Sequence, residues 1–168
     1  MSSLSRRSFL LGTAAIASMA FAGPGLAQLA PAGGWQFSSV TVDVRPLHAV
    51  GLGSYAEFVR SALLADMRRA FADRLGRSGP RLVVHITSIH LSSYSGGGGR
   101  YGSSQHTDYL EGEALVVGPR GEVLARYPQL SATPANAGGA WYDPKSEHRR
   151  VILLAQHYAS WLRRTIPG

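Results

Sequence analysis

The sequence predicts an α+β fold in which two amphipathic helices pack on one face of a four-stranded, mainly antiparallel sheet, in the order β-α-β-β-β-α. Three observations carry this. Apolar residues recur at every fourth position from Tyr55 to Leu75, and a second helical stripe runs from Val151 to Leu162. Val40, Val42 and Val44 alternate with polar neighbours. Gly118-Pro119-Arg120-Gly121 separates two β-rich runs. Two helical stripes and one half-apolar sheet bury each other when stacked as layers.

Taken in order, residues 28–36 are rich in Pro, Gly and Ala and read as a flexible tether, followed by a single domain over residues 37–168. The Val40-Val42-Val44 alternation has the period of a half-buried strand, and Pro46 stops it. Ser54-Tyr55-Ala56-Glu57 reads as a capping box opening a helix over about 55–75, which Gly76 ends. Arg81 to Leu91 is apolar on both faces at its start, as a central strand would be. Ser92 to Thr107 is a long polar loop containing Gly96-Gly97-Gly98-Gly99. Asp108–Val117 and Glu122–Tyr127 flank the Gly-Pro-Arg-Gly turn as a hairpin. Ser131 to Tyr142 reads as a second loop. Asp143-Pro144 supplies an N-cap and first helical residue for a helix to about Ile166, whose apolar side carries Val151, Leu154, Ala155, Tyr158, Trp161 and Leu162.

Ahead of this domain, Ser5-Arg6-Arg7-Ser8-Phe9-Leu10-Leu11 resembles the twin-arginine (Tat) export signal, Ser/Thr-Arg-Arg-x-Phe-Leu-Lys, with Leu11 in place of the lysine. Phe9 to Ala22 is apolar and uncharged. At about 14 residues it is shorter than the roughly 20 that span a bilayer, which suits a signal's apolar core. Gly25-Leu26-Ala27 offers small residues for cleavage after Ala27, giving a signal over 1–27. Ala20-Phe21-Ala22 is a competing site, and retention as an N-terminal anchor is the third alternative. The resemblance implies a periplasmic protein that folds before export.

Without residues 1–27 the chain has 141 residues, with 15 basic against 10 acidic side chains, and no transmembrane helix is expected in it. All but Lys145 of these basic residues are arginine, consistent with coding bias. No basic run or basic-aromatic stripe appears, so nucleic-acid binding is not expected, whereas the basic excess leaves room for a weak attraction to anionic lipid, as at a membrane surface, or to polysaccharide. The chain has no cysteine, which excludes disulfides, thiolate metal sites and a lipid-bearing cysteine.

Few residues suggest chemistry. Gly51-Leu52-Gly53-Ser54-Tyr55-Ala56 matches a dinucleotide fingerprint in letters, but the preceding strand ends too early and further strand-helix units are missing. The tetraglycine loop carries Tyr94, Arg100, Tyr101, Gln105 and His106, groups suited to recognition. Trp141 and Tyr142 on the second loop could stack on a sugar. His90, His106 and Asp108, at the two ends of one loop, are the candidate metal ligands, although they lack a recognisable spacing. Glu111 and Glu113 share a strand face, where they read as edge charges that suppress aggregation.

The element order over residues 37–166 resembles small accessory proteins of Gram-negative envelopes, many of them lipoproteins, with two helices over a short antiparallel sheet. The missing lipid-bearing cysteine departs from that pattern. The resemblance implies a non-catalytic periplasmic binding or scaffolding protein of the cell envelope with a protein or glycan partner. The absent cysteines and scattered histidines offer little to hold a cofactor, so none is expected. The alternative is a small exported metal- or cofactor-binding protein or enzyme using His90, His106 and Asp108.

Overall fold

A computed structural model of the chain describes residues 30–93, 106–140 and 142–168. Residues 1–27, read from the sequence as an export signal, the start of the tether, most of the tetraglycine loop and Trp141 lie outside them. The fold is α+β, with a four-stranded sheet in the order β1-β2-β3-β4 and three helices. Strands β1 (Ser39–Asp43), β2 (Arg81–His90), β3 (Thr107–Val117) and β4 (Val123–Pro134) are joined by α1 (Arg45–Ala49) and α2 (Gly53–Ala70) between β1 and β2, and followed by α3 (Ser146–Thr165).

Two of the three strand pairings are antiparallel. β1 pairs with β2 in parallel, Val42 opposite Val84, because the α1–α2 crossover returns the chain to the starting end of the sheet. The alternation in β1 places Val40 and Val42 in the core, with Val44 just beyond the strand. Pro46 ends the strand by opening α1, an additional helix in which its missing N–H costs nothing at the first turn. Trp35, placed in the tether by composition, is buried instead. Its indole donates to the Tyr127 hydroxyl at 3.0 Å, and its amide donates to the Pro167 carbonyl at 3.0 Å.

The Ser54–Glu57 capping box does not form. α2 starts at Gly53 with no side-chain cap, and Glu57 turns outward to His48 at 2.9 Å and Arg60 at 2.7 Å. α1 feeds into α2 through Leu52, whose carbonyl takes the amides of Tyr55 and Ala56, so the caps are supplied by backbone. The helix ends at Ala70, earlier than Leu75, in a short 3₁₀ turn over Ala72–Arg74. Leu75 bridges Phe37 instead. Val59, Leu63, Met67 and Phe71 are fully buried and define the stripe that faces the sheet and α3.

β2 is central, as its apolar start requires, with Leu82, Val84 and Ile86 under the helices. The β3–β4 hairpin closes where the Gly-Pro-Arg-Gly signal lies. The Gly118 amide donates to the Glu122 carbonyl, and Gly121 adopts the positive φ of 88° that suits glycine. β4 runs to Pro134, beyond the expected loop start at Ser131, because β3 begins at Thr107 and keeps pairing with it. Glu111 and Glu113 are therefore on an interior strand, not an edge. They lie on the face away from the helices, where Glu111 accepts from the Ser88 hydroxyl and Glu113 pairs with Arg126.

Asp143-Pro144 forms a turn just before α3. The Asp143 carboxylate accepts the Lys145 amide at 2.8 Å, and the helix begins at Ser146. Val151, Leu154, Ala155, Tyr158 and Leu162 are buried as the stripe requires. Trp161 is not, at 43% exposed, because its position falls on the rim of the stripe. Burial of each large side chain contributes about 1.5–3 kcal/mol, so the shared stripe of α2 and α3 holds the layers together.

Candidate functional site

Three of the buried polar side chains, Asp108, Ser146 and Arg150, gather where β3 begins and α3 begins. Asp108 is in phase with Leu110, Ala114 and Val116, so the pleat points it at the helix layer. Arg150 lies four residues before Leu154 and eight before Tyr158, so the helical period sends it toward the same place. The two form a buried fork. Arg150 Nε donates to Asp108 Oδ2 at 2.6 Å and Nη2 contacts Oδ1, with side chains 6% and 0% exposed. Two parallel charge-assisted bonds are the arrangement that offsets the desolvation of such a pair.

The fork also holds the base of the tetraglycine loop. The Ser92 amide donates to Asp108 Oδ1 at 2.9 Å, its carbonyl accepts from Arg150 Nη2 at 2.8 Å, and its hydroxyl donates to the Thr107 carbonyl at 2.6 Å. Both ends of the loop are thereby tied to α3.

The second loop converges here too. The Ala135 amide donates to the His106 carbonyl at 2.8 Å. Residues Ala135–Gly138 form a 3₁₀ turn whose last carbonyl accepts Arg149 Nε at 2.7 Å, and Arg149 also pairs with Asp143 at 2.5 Å. A Cβ at Gly138 would come within 2.4 Å of Arg150 Cγ and 2.8 Å of the Ser146 carbonyl, so the close approach requires glycine. Tyr142 projects beyond this base at 75% exposure.

Beside the fork is a shallow pocket of about 250 Å³ lined by Leu52, Tyr55, Ile89, Leu91 and Glu147. Burial first, and then the charge and hydrogen bonding of Glu147, push the Tyr55 hydroxyl well above its usual range. It stays a neutral phenol at any physiological pH and acts as a hydrogen-bonding group rather than a base. Nearby, His148 packs edge-on against Phe58 with ring centres 4.7 Å apart.

The predicted residues separate into three sets. His106, Asp108 and Tyr142 meet at this end, but the metal triad does not assemble. Among the described residues no group of three or more His, Asp or Glu side chains is placed to hold a metal ion. Asp108 is the reason, since Arg150 and the Ser92 amide occupy its oxygens, while His90 sits exposed opposite Tyr109. Tyr94, Arg100, Tyr101, Gln105 and Trp141 lie outside the described residues. Gly51 and Gly53, with φ of 87° and 45°, serve the turn between α1 and α2.

Arg150 was the residue to find in the sequence. Its signal was its position, a cation on the apolar stripe of α3. A second polar chain also went unread, in which the Trp161 indole donates to His157 Nε2 at 2.9 Å and His157 Nδ1 lies 3.2 Å from the Ser131 hydroxyl.

Fold and site together define a two-layer α+β domain with a salt-bridged, loop-bearing end. Comparison with family models, curated proteins and solved structures found no match to this chain.

Proposed function

We propose that this chain is a non-catalytic binding or scaffolding domain of the bacterial cell envelope, exported by the twin-arginine pathway and working in the periplasm. The loop-bearing end is its partner surface, and a protein or glycan of the envelope is its partner. The observation that carries this reading is the Asp108–Arg150–Ser92 fork. A domain that spends a buried ion pair on fixing both ends of a long loop is presenting that loop from a rigid base, a common arrangement for recognition. The exposed Tyr142 and the half-buried His106 flank the same base. Arg6-Arg7 and the apolar run after them support export.

Capture of crosslinked partners from envelopes, and binding to isolated envelope polysaccharide, test the reading on the full chain. The wild type is expected to retain a specific protein or glycan, and the Tyr101→Ala/His106→Ala/Tyr142→Ala variant to lose it at least tenfold. Retention of the same partner by that variant assigns binding elsewhere and sinks the proposal. Replacing Arg6 and Arg7 by lysine is expected to leave the protein in the cytoplasm. Unchanged export of that variant removes the localisation.

A further inference from the structure

The net positive charge of the described residues is concentrated at the end opposite the loops. α2 and α3 both finish there, since Arg163 at the close of α3 pairs with Asp73 just past α2 at 2.6 Å. β2 starts there with Arg81, opposite Val117, so the β3–β4 turn with Arg120 belongs to the same end. Among the described residues, eight arginines at this end meet three carboxylates, Asp66, Asp73 and Glu122, while six cations meet seven carboxylates over the rest. The positive excess of the described domain thus resides at one pole. Arg68, Arg69, Arg77, Arg81, Arg120 and Arg164 are exposed on it.

The helix dipole accounts for part of this pattern. Arg68, Arg69, Arg163 and Arg164 lie in the last turns of their helices, where cations are favoured. Arg77, Arg81 and Arg120 are on turns and a strand start, where no dipole asks for them. Their convergence with the helical arginines makes a broad basic surface, without the shape of a pocket for one small anion.

The chain itself indicates what this surface meets. The chain enters the fold at this same pole, where the Trp35 amide is bonded to the Pro167 carbonyl. The sequence ahead of it contains the uncharged apolar run Phe9–Ala22. While Phe9–Ala22 is held in a bilayer, before cleavage or as a retained anchor, the intervening residues 23–34, which extend at most about 40 Å, tether this pole rather than the loop end to that membrane. Trp161, half-exposed with the Arg164 guanidinium 5.4 Å from its ring centre, adds an aromatic of the kind that settles at a membrane interface.

We propose that the basic pole is a docking surface for an anionic lipid bilayer, orienting the domain with its loop end away from the membrane. This inference does not depend on the loop-end reading. Juxtamembrane arginines act within a Debye length, about 8 Å at physiological ionic strength, so the contact is salt-sensitive and spread over several residues.

Co-sedimentation of the full chain with phosphatidylglycerol-containing vesicles and with purely zwitterionic vesicles tests it. The wild type is expected to prefer the anionic vesicles and to lose that preference in high salt. The Arg68→Gln/Arg77→Gln/Arg164→Gln variant is expected to weaken anionic-vesicle binding about tenfold or more. The charge-matched Arg45→Gln/Arg60→Gln/Lys145→Gln variant is expected to stay within about twofold of wild type. Equal binding to both vesicle types, or equal loss in the two variants, overturns the proposal. Equally tight binding to a soluble anionic polysaccharide such as heparin overturns it too, by assigning the arginines to a glycan. Partner capture by the loop end is expected to survive the basic-pole substitutions, so the two proposals fail separately.

Discussion

Asp108 and Arg150 are 42 residues apart in sequence, on a strand and a helix, and form a bidentate pair from which solvent is almost excluded. Removing one partner leaves the other buried without its counter-charge, which typically costs about 3–5 kcal/mol. Asp108→Ala is expected to lose stability of that order in chemical denaturation, and to increase proteolytic cleavage within 93–106. The double variant Asp108→Leu/Arg150→Met is expected to recover most of the stability while leaving the loop base cleavable. A loss below about 1 kcal/mol in the single variant contradicts the pairing.

Tyr158 makes a contrasting prediction. Its hydroxyl is buried over Gly112 with no hydrogen-bond partner among the described residues. Burial, with the charges of Glu113 and Glu111 as lesser causes, drives its ionisation far above the usual range. Tyr158→Phe removes an unsatisfied polar atom and is expected to be neutral or stabilising by about 1 kcal/mol. Gly112→Ala places a methyl 2.3 Å from the His85 carbonyl and is expected to cost about 1–3 kcal/mol, with no rescue by Tyr158→Phe because the clash is with backbone. Thermal melts of the two single variants and the double variant decide this.

The fold was legible wherever one periodicity settled the outcome. Val59, Leu63 and Met67 fix α2, and Val151, Leu154 and Tyr158 fix α3, because a helical stripe has one way to be buried. Ends were less legible. Ser54 and Glu57 satisfy a capping pattern, yet the helix is entered from α1 through backbone bonds, which depend on a neighbouring element and not on local spacing. The parallel pairing of β1 was hidden for a related reason, since strand partners are chosen by the crossover. At the candidate site, Asp108 was visible as an acidic group near two histidines, but its partner was concealed 42 residues away within an apolar pattern.

Ser54→Ala tests that correction. A working N-cap serine contributes about 1 kcal/mol. Here no such bond exists, so the change in denaturation midpoint is expected to correspond to less than about 0.5 kcal/mol. A full capping loss restores the box.

Asp66 sets a pH signature. It is buried between α2 and α3, and desolvation raises its pKa from 3.8 despite the opposing effect of Arg69. A carboxyl raised on folding holds its proton more tightly in the native state, so its contribution declines as pH rises from about the unfolded value upward. Asp66→Asn is therefore expected to raise the melting temperature at pH 7 and to lose that advantage below about pH 4. Asp43 and Asp143 work in the other direction. Hydrogen bonds from Arg45 and Arg149 hold them below their usual value, so their stabilisation is present above it and fades as acid titrates them. Both pairs are solvent-accessible, and their share is small.

The bond between the Trp35 amide and the Pro167 carbonyl bears on how this domain can be rebuilt. With the two ends of the fold 3.0 Å apart at that bond, a short Gly/Ser bridge could join them, and the chain could be reopened at Pro119-Arg120 in the exposed hairpin turn. Such a circular permutant would keep every strand neighbour while turning the β3–β4 pair from a local hairpin into the closing contact of the fold. Its refolding rate against that of the natural order would tell whether the hairpin or the β1–β2 crossover nucleates the sheet.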